Sequence, residues 1–417
     1  MPTPDLPVRA DDDSFLSKKF GRETANYFSG SPLNRLAFLR TDQTFLRSAF
    51  LHAHARFLLL NNLAPLVQSS DTAHLGFATH ADVASLTGAD PFAKTEEEQV
   101  RDYDSDEQHP VIIFLGLDET GQLPPPEGGA AFAYKEFKGA PYFAVDVTPR
   151  GASADAANAL IAAVKEKGLT FQDNSPRHMG LHAGQAAMYG HARALVDWNA
   201  RTPFCAQCGQ ATLSIHAGTK RVCPATDRAG CSSGSAARPR QPCATRGTVS
   251  NHSFPRTDPT VIMAIVSADG ARLLLGRQRR WPACWFSALA GFQEPGESIE
   301  EAVRRETWEE SGVRVGRVVL HSSQPWPFPA SLMIGAVGQA LPGAGEEIYL
   351  GHDAELESAR WFPLEEVREA LVRGTSGLGE AAPEGYVEGA LRLPPQTAIA
   401  NRLITTVVEG GWVPSRM

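Results

Sequence analysis

Apolar residues fall in short runs separated by turn-forming clusters, and from Phe254 onward the runs switch regularly between strand and helix periods. Residues 259–266 predict a strand, Asp269-Gly270 a hairpin turn, and residues 272–276 its partner. A further strand over 285–290 leads into a glycine-rich loop. A helix is expected over 299–311, stopped by Gly312. Strands over 317–320, 332–337 and 359–362 and helices over 364–372 and 395–408 complete this half. The first half is less regular. Residues 111–115 and 141–147 read as buried strands around the turn-rich stretch 121–129. Ser153 caps a helix over 154–167 that ends at Gly168, and a second helix covers 186–198. Residues 1–30 are polar and expected to be poorly ordered. Strands interleaved with helices, with hairpins present, predict an α/β (α+β) protein with a mixed sheet sandwiched by helices.

Length and composition bound the rest. At 417 residues, 42% hydrophobic and 21% charged, the chain is a globular sequence of two or three domains. Its net charge of −8 opposes an extended electrostatic grip on duplex nucleic acid. No apolar run approaches the roughly 20 residues that span a bilayer. The start, MPTPDLPVRADDDS, lacks the apolar centre of a secretory signal, so the six cysteines are expected as thiols or metal ligands.

Cys205 and Cys208 form a C-x-x-C knuckle, with Gly209 letting the backbone turn. Cys223 and Cys231 follow in the zinc-ribbon pattern, though this second knuckle is irregular, with seven residues between them where about two to four are usual, and four such thiolates suit one tetrahedral structural Zn²⁺. Cys243, in the arginine-, serine- and glycine-rich insertion 232–250, is the rival fourth ligand. Cys231 is preferred because closing the shorter loop loses less entropy. The insertion is expected to be a flexible, solvated excursion, Arg238, Arg240 and Arg246 included. Cys284, beside Trp281 and Trp285, reads as a core thiol. His178 and His182, four apart, lack a third ligand and are assigned no site.

The densest chemistry lies in GFQEPGESIEEAVRRETWEESGV, residues 291–313. Glu306 and Glu310 share a helical face, with Glu309 beside them. Carboxylates so close repel unless a cation joins them, and oxygen ligands suit Mg²⁺ or Mn²⁺. Ala290 is placed to add a backbone carbonyl, and an Arg305–Glu297 contact is expected to hold the loop on the helix.

Gly291, Glu297, Arg305, Glu306, Glu309, Glu310, Gly312 and Val313 stand at the spacing of the Nudix box, with Thr307 where an aliphatic residue is usual. The chain thus resembles the Nudix hydrolases, which split a pyrophosphate joining a nucleoside to a second group. That resemblance implies that Glu306 and Glu310 hold the divalent ions and that Glu309 shares metal binding or water activation. Ser323-Gln-Pro-Trp-Pro-Phe-Pro-Ala-Ser331 resembles the SQPWPFPxS segment of the NADH pyrophosphatase branch. Its prolines stiffen a rim expected to present Gln324, Trp326, Ser331 and, just beyond, Met333 to a nucleotide. The branch carries a degenerate Nudix-like domain and a zinc ribbon ahead of its catalytic domain. The expected organisation is therefore 31–200, 201–253 and 254–414, with a targeting tripeptide at 415–417. The same resemblance makes Phe292 a stacking aromatic, Glu355 an extra metal ligand and Ala400 a backbone contact. It makes Phe254 a substrate contact, acting across a homodimer. Ser415-Arg416-Met417 resembles the tripeptide read by the peroxisomal import receptor, so the peroxisome is expected, with the cytoplasm as the alternative. The implied reaction is hydrolysis of NADH or NAD⁺ to nicotinamide mononucleotide and AMP. Removal of an NAD cap from RNA by the same chemistry is one alternative. A zinc-ribbon nucleic-acid binder with a vestigial Nudix domain is the other.

Overall fold

The computed structural model describes residues 24–107, 110–121, 123, 131–173, 180–232, 235–246, 252–353 and 355–409. Most of the polar N-terminal segment, His178, parts of the insertion and the tripeptide at 415–417 lie outside them. The chain forms two compact units, one of residues 31–256 and one joining the segment up to Gly30 to residues from Thr257 onward. No described helix is long and apolar enough to cross a membrane.

The unit of residues 31–256 is built on strands β1 (Arg56–Asn61), β2 (Ala64–Gln68), β3 (Ile112–Asp118), β4 (Phe132–Tyr134), β5 (Phe137–Asp146) and β6 (Leu169–Phe171). They form a mixed sheet in the order β3-β5-β1-β2-β6, with β4 on β5 and the β1–β5 pair parallel. Helices α1 (Gln43–Phe50), α2 (His80–Thr87), α3 (Glu96–Arg101), α4 (Ala154–Glu166) and α5 (Ala183–Arg201) accompany it. Helices α1, α2 and α4 bury Phe45, Phe50, Val83 and Leu160 with Phe57, Phe114 and Phe143 of the sheet. Helix α5 packs on β1, β3 and β5. Leu58, Leu59 and Leu60 of β1 are all fully buried, so both faces of the sheet are covered. The helix expected over 186–198 is α5, longer at both ends.

The ribbon follows, with β7 (Leu213–Ile215), β8 (Lys220–Val222), β9 (Thr226–Asp227), β10 (Arg238–Pro239) and β11 (His252–Ser253). Strands β7 and β8 form a hairpin joined by β11, and β9 pairs with β10. At the hairpin tip, a Cβ on Gly218 (φ 84°) would meet the Ile112 carbonyl oxygen at 2.6 Å. Glycine is therefore required where the ribbon closes on β3. The buried Arg221 guanidinium donates to the Thr212 hydroxyl, the Thr212 carbonyl and Asn199 Oδ1, at 2.7, 2.7 and 2.8 Å. These bonds fasten the ribbon to the end of α5.

The second unit carries β12 (Asp258–Val266), β13 (Arg272–Gln278), β14 (Leu289–Phe292), β15 (Val315–Trp326), β16 (Ser331–Ala340) and β17 (Leu356–Pro363). Their order is β15-β16-β12-β13-β17, with β14 on the first half of β12 and the β12–β16 pair parallel. Helix α6 (Ile299–Ser311) covers one face through Ala302 and Val303, packed with Val261, Met263 and Ala336. Helices α7 (Leu364–Arg373) and α8 (Ile399–Glu409) cover the other with Val367, Leu403 and Ile404. This is the expected sandwich, with three local differences. The strand placed over 285–290 is β14, shifted to Leu289–Phe292. The proline-rich segment is split: residues 323–326 are the end of the long edge strand β15, where the missing N–H of Pro325 leaves no ladder bond unmade, and residues 327–330 turn into β16. Finally, Asn26, Tyr27 and Phe28 are buried in this unit rather than poorly ordered.

Candidate active site and zinc centre

Helix α6 starts on a capping box. Ser298 Oγ accepts from the Glu301 N–H, and Glu301 accepts from the Ser298 N–H at 2.7 Å. Gly312 ends it in a left-handed turn (φ 75°). The fixed ends set which face meets the sheet. Thr307, the departure from the box, is fully buried and satisfies its hydroxyl on the Val303 carbonyl at 2.7 Å, so it costs the helix no orphaned polar group.

The loop and helix meet where Gly291 backs onto Glu306. A Cβ at Gly291 would run into the Glu306 carboxylate. Arg305 then ties the assembly together. Its Nε and Nη2 hold the two Glu297 oxygens at 2.5 and 2.9 Å, and Nη1 donates to Glu306 and Glu309 at 2.9 and 2.8 Å. Nη2 also donates to the Phe292 carbonyl at 2.8 Å. The Arg305 side chain lowers the Glu297 carboxyl and is itself held firmly protonated by Glu297. The expected Arg305–Glu297 clamp is present, and it reaches Glu306 and Glu309 as well.

Glu310 is different. It is 3% exposed, and among the described residues it has no ion pair. Burial, then Glu355, Glu306 and Asp353, push its carboxyl up to about 9; a backbone hydrogen bond at Ala290 opposes them. Burial also raises Glu306, against Arg305. A buried carboxylate among three acids, with the nearby cation already committed, fits a bound divalent ion. Glu306, Glu309, Glu310 and Glu355 are the side chains that would hold it, with the Ala290 backbone alongside. Glu355 accepts from Gln278 Nε2 at 2.8 Å, which orients it. Asp353 and Gln278 escaped the sequence reading, though the acidic pair two apart in the loop before β17 was a visible signal.

The sheet register arranges the remaining positions. Phe292 pairs with Thr260, Thr260 with Met333, and Met333 with Gln324. One row therefore crosses four strands, over three spacings of about 4.8 Å each. Trp326, Ser331 and Asp258 form a parallel row two residues on, facing the same side. That side is covered by α8, whose first turn contains the buried Ala400. Phe292 is 60% exposed at the open end. Gly291 and Phe292 are neighbours on β14 and so face opposite ways, one toward the carboxylates and one toward this row.

Gln324 is not an exposed rim group. It is buried, with Nε2 donating to the Tyr27 and Thr397 carbonyls at 3.0 and 2.8 Å and Oε1 accepting from the Ile399 N–H at 2.9 Å. Its hydrogen bonds hold the start of α8, so it positions the row. Phe254 belongs to the other compact unit, half-exposed with Lys220 Nζ 4.7 Å above its ring.

In the ribbon, the four sulfurs that converge are those of Cys205, Cys208, Cys223 and Cys243, all within 4.8 Å of one another. The Cys205–Cys243 and Cys208–Cys223 pairs are each 3.7 Å apart. Tetrahedral ZnS₄ with Zn–S near 2.3 Å requires sulfurs about 3.8 Å apart, so the donor set fits. The expectation of Cys231 is thus corrected to Cys243. Cys231 Sγ instead faces the Asp227 and Ala236 carbonyls. Loop length misled because the insertion is no free excursion: Arg238 pairs with Asp227 and Pro239 with Thr226, which returns the chain to the knuckle. The arginines are committed too. Arg246 donates to Cys223 Sγ at 3.2 Å and to the Cys223 carbonyl, offsetting thiolate charge. Arg240 bonds the Ala211 carbonyl at 2.7 Å and lies over Tyr103.

Family comparisons agree with this geometry. The model described as a NUDIX domain matches residues 256–381, the NADH pyrophosphatase-like rudimentary NUDIX domain matches 54–198, and the NADH pyrophosphatase zinc ribbon domain matches 200–230. A Schizosaccharomyces pombe protein named NAD-capped RNA hydrolase is 33% identical over 407 residues, covering 96% of this chain and 98% of its own. The chain belongs to the Nudix hydrolase family. Within this Nudix hydrolase, two mixed-sheet Nudix-like folds flank a four-cysteine zinc ribbon. Human NAD-capped RNA hydrolase NUDT12 is 32% identical over 391 residues, 92% of this chain and 73% of its own. Mouse mitochondrial NAD(P)H pyrophosphatase NUDT13 is 36% identical over 271 residues, 64% of this chain and 68% of its own.

Proposed function

We propose that this Nudix hydrolase cleaves the pyrophosphate of NADH or NAD⁺ to nicotinamide mononucleotide and AMP, with Mg²⁺ or Mn²⁺ at the Glu306–Glu310 cluster. The observation that carries the reading is the adjacency of Gly291 and Phe292 on β14. At this one strand, carboxylates suited to metal and phosphate lie on one side, and an exposed aromatic with the row behind it lies on the other. When bound, a divalent ion neutralises phosphate charge and positions water for in-line attack. The water oxygen bonds to one phosphorus, the anhydride P–O bond breaks, and the departing phosphate takes the electron pair. The protein's part is to hold Glu306 against Gly291, to keep Glu310 out of solvent, and to offer the half-exposed Glu309 where a proton can leave. Phe292 stacks a ring of the dinucleotide.

The names of the fungal and human relatives favour a second reading, removal of an NAD cap from RNA, because the bond attacked is the same. Measuring kcat/KM on NADH, NAD⁺ and a 5′-NAD-capped RNA under one cation separates them. Free dinucleotide as the better substrate supports the first reading. Capped RNA exceeding it by about tenfold or more, some 1.4 kcal/mol of transition-state binding, replaces it with the second. The nucleic-acid binder with a vestigial hydrolase loses its footing, since Arg240 and Arg246 are engaged inside the ribbon.

The resemblance also supports a homodimer in which the half-exposed Phe254 completes the partner's site. Light scattering is expected to give twice the mass of one chain, with Phe254→Ala raising KM. A fully active monomer contradicts this.

A further inference from the structure

We propose that residues Asn26–Phe28 are a positioning strap that fixes the nucleotide-facing end of β15. The proposal rests on the reading of the Phe292–Gln324 row as the recognition face. Asn26, Tyr27 and Phe28 are 1%, 1% and 5% exposed, although they come from a polar segment and lie some 300 residues from what they touch. Asn26 Nδ2 donates to Ser322 Oγ and to the Ser323 carbonyl at 3.0 and 2.9 Å. The Tyr27 carbonyl takes a bond from Gln324, the residue that also binds the first turn of α8. Phe28 sets its ring edge-on to Trp326 and Phe328, at 6.2 and 5.9 Å. The contacts thus run along β15 in step and just past its end: Asn26 on 322 and 323, Tyr27 on 324, Phe28 on 326 and on 328 in the following turn.

Two features show that the fit is imposed by these partners. Phe28 has φ 68°, a left-handed backbone that a bulky residue adopts only when its surroundings over-determine it. Ser29 folds back on the Asn26 carbonyl through both N–H and Oγ, closing a tight turn. The strap also reaches α8 by a second route. Ser322 Oγ contacts His321 Nδ1 at 2.8 Å, and His321 Nε2 contacts Thr406 Oγ1 at 3.1 Å. As an edge strand, β15 has a sheet neighbour on one side only, so the strap supplies contacts that a further strand would otherwise make.

Among the described residues the contacts of the strap run to β15 and the turn after it, not to the carboxylates, so its loss is expected to act on binding. In the full-length protein, Phe28→Ala and Asn26→Ala should raise KM for NADH about tenfold while kcat stays within about twofold. Zinc content and melting temperature are measured alongside. Hydrogen exchange should rise in peptides covering 321–334 and 397–403, with α6 unchanged. Phe28→Leu should recover part of the affinity, since it refills the apolar site. Unchanged KM despite faster exchange in those peptides overturns the proposal. So does a uniform rise of exchange with a proportional fall in kcat, which marks a merely structural role. Should Phe28→Ala fail to fold, Asn26→Ala, which opens no large cavity, decides alone. A wild-type protein inert toward NADH refutes the functional reading instead, a result visible before any variant is made.

Discussion

Glu310→Gln is expected to lower turnover by on the order of a thousandfold, about 4 kcal/mol of barrier, while the protein stays folded and keeps its zinc. Glutamine matches the shape of glutamate but carries no charge. Glu310 lies deep against β14, where burial and the surrounding acids oppose its ionised form. That opposition is what a divalent ion relieves, so the variant loses the strongest reason for the ion to bind. A second consequence has the opposite sign. With no metal present, Glu310 must take up a proton to stay buried, which costs stability at neutral pH because its carboxyl is pushed up to about 9, so the metal-free variant should melt above the metal-free wild type. Steady-state rates with Mg²⁺ and melting curves in chelator check both. Turnover within tenfold of wild type would remove Glu310 from the metal site. Neither result depends on which glutamate removes the proton from water.

Cys243→Ser is expected to strip zinc from the ribbon, and Cys231→Ser to leave it in place. A structural zinc contributes roughly 10 kcal/mol or more of binding free energy at neutral pH. The ribbon's own strands are two or three residues long and cannot replace that. Because Arg221 and Gly218 join the ribbon to α5 and β3, the damage spreads through the unit of residues 31–256. Its melting temperature should fall by about 10 °C or more. Metal analysis of both variants, with melting curves, is the check. The reverse pattern would return the fourth ligand to Cys231.

The sequence and the structure part company for physical reasons. The Nudix box could be read because each position acts locally. A capping box starts α6, Gly312 stops it, and helical spacing alone gathers Glu306, Glu309 and Glu310. Thr260, Met333 and Gln324 are joined instead by ladders between distant strands, and only the register shows that they share a row with Phe292. Strands β1 and β2 went unread because Leu58, Leu59 and Leu60 are buried on both faces and show no alternation. Cys243 was passed over because loop entropy was counted without the β9–β10 pairing that shortens the effective loop. Asn26 to Phe28 looked like solvent-facing sequence because their partners lie at the other end of the chain. Gln324 looked like a surface group because its prolines suggested a rim, whereas its amide is consumed inside the fold.

The most direct test of the central claim is to follow NADH by ³¹P NMR with the zinc-loaded protein and Mg²⁺, then Mn²⁺. The pyrophosphate resonances should give way to two monophosphate resonances of equal area, from reduced nicotinamide mononucleotide and AMP, with no change under Glu310→Gln. A pyrophosphate left intact by the folded wild-type protein with either cation would contradict the account.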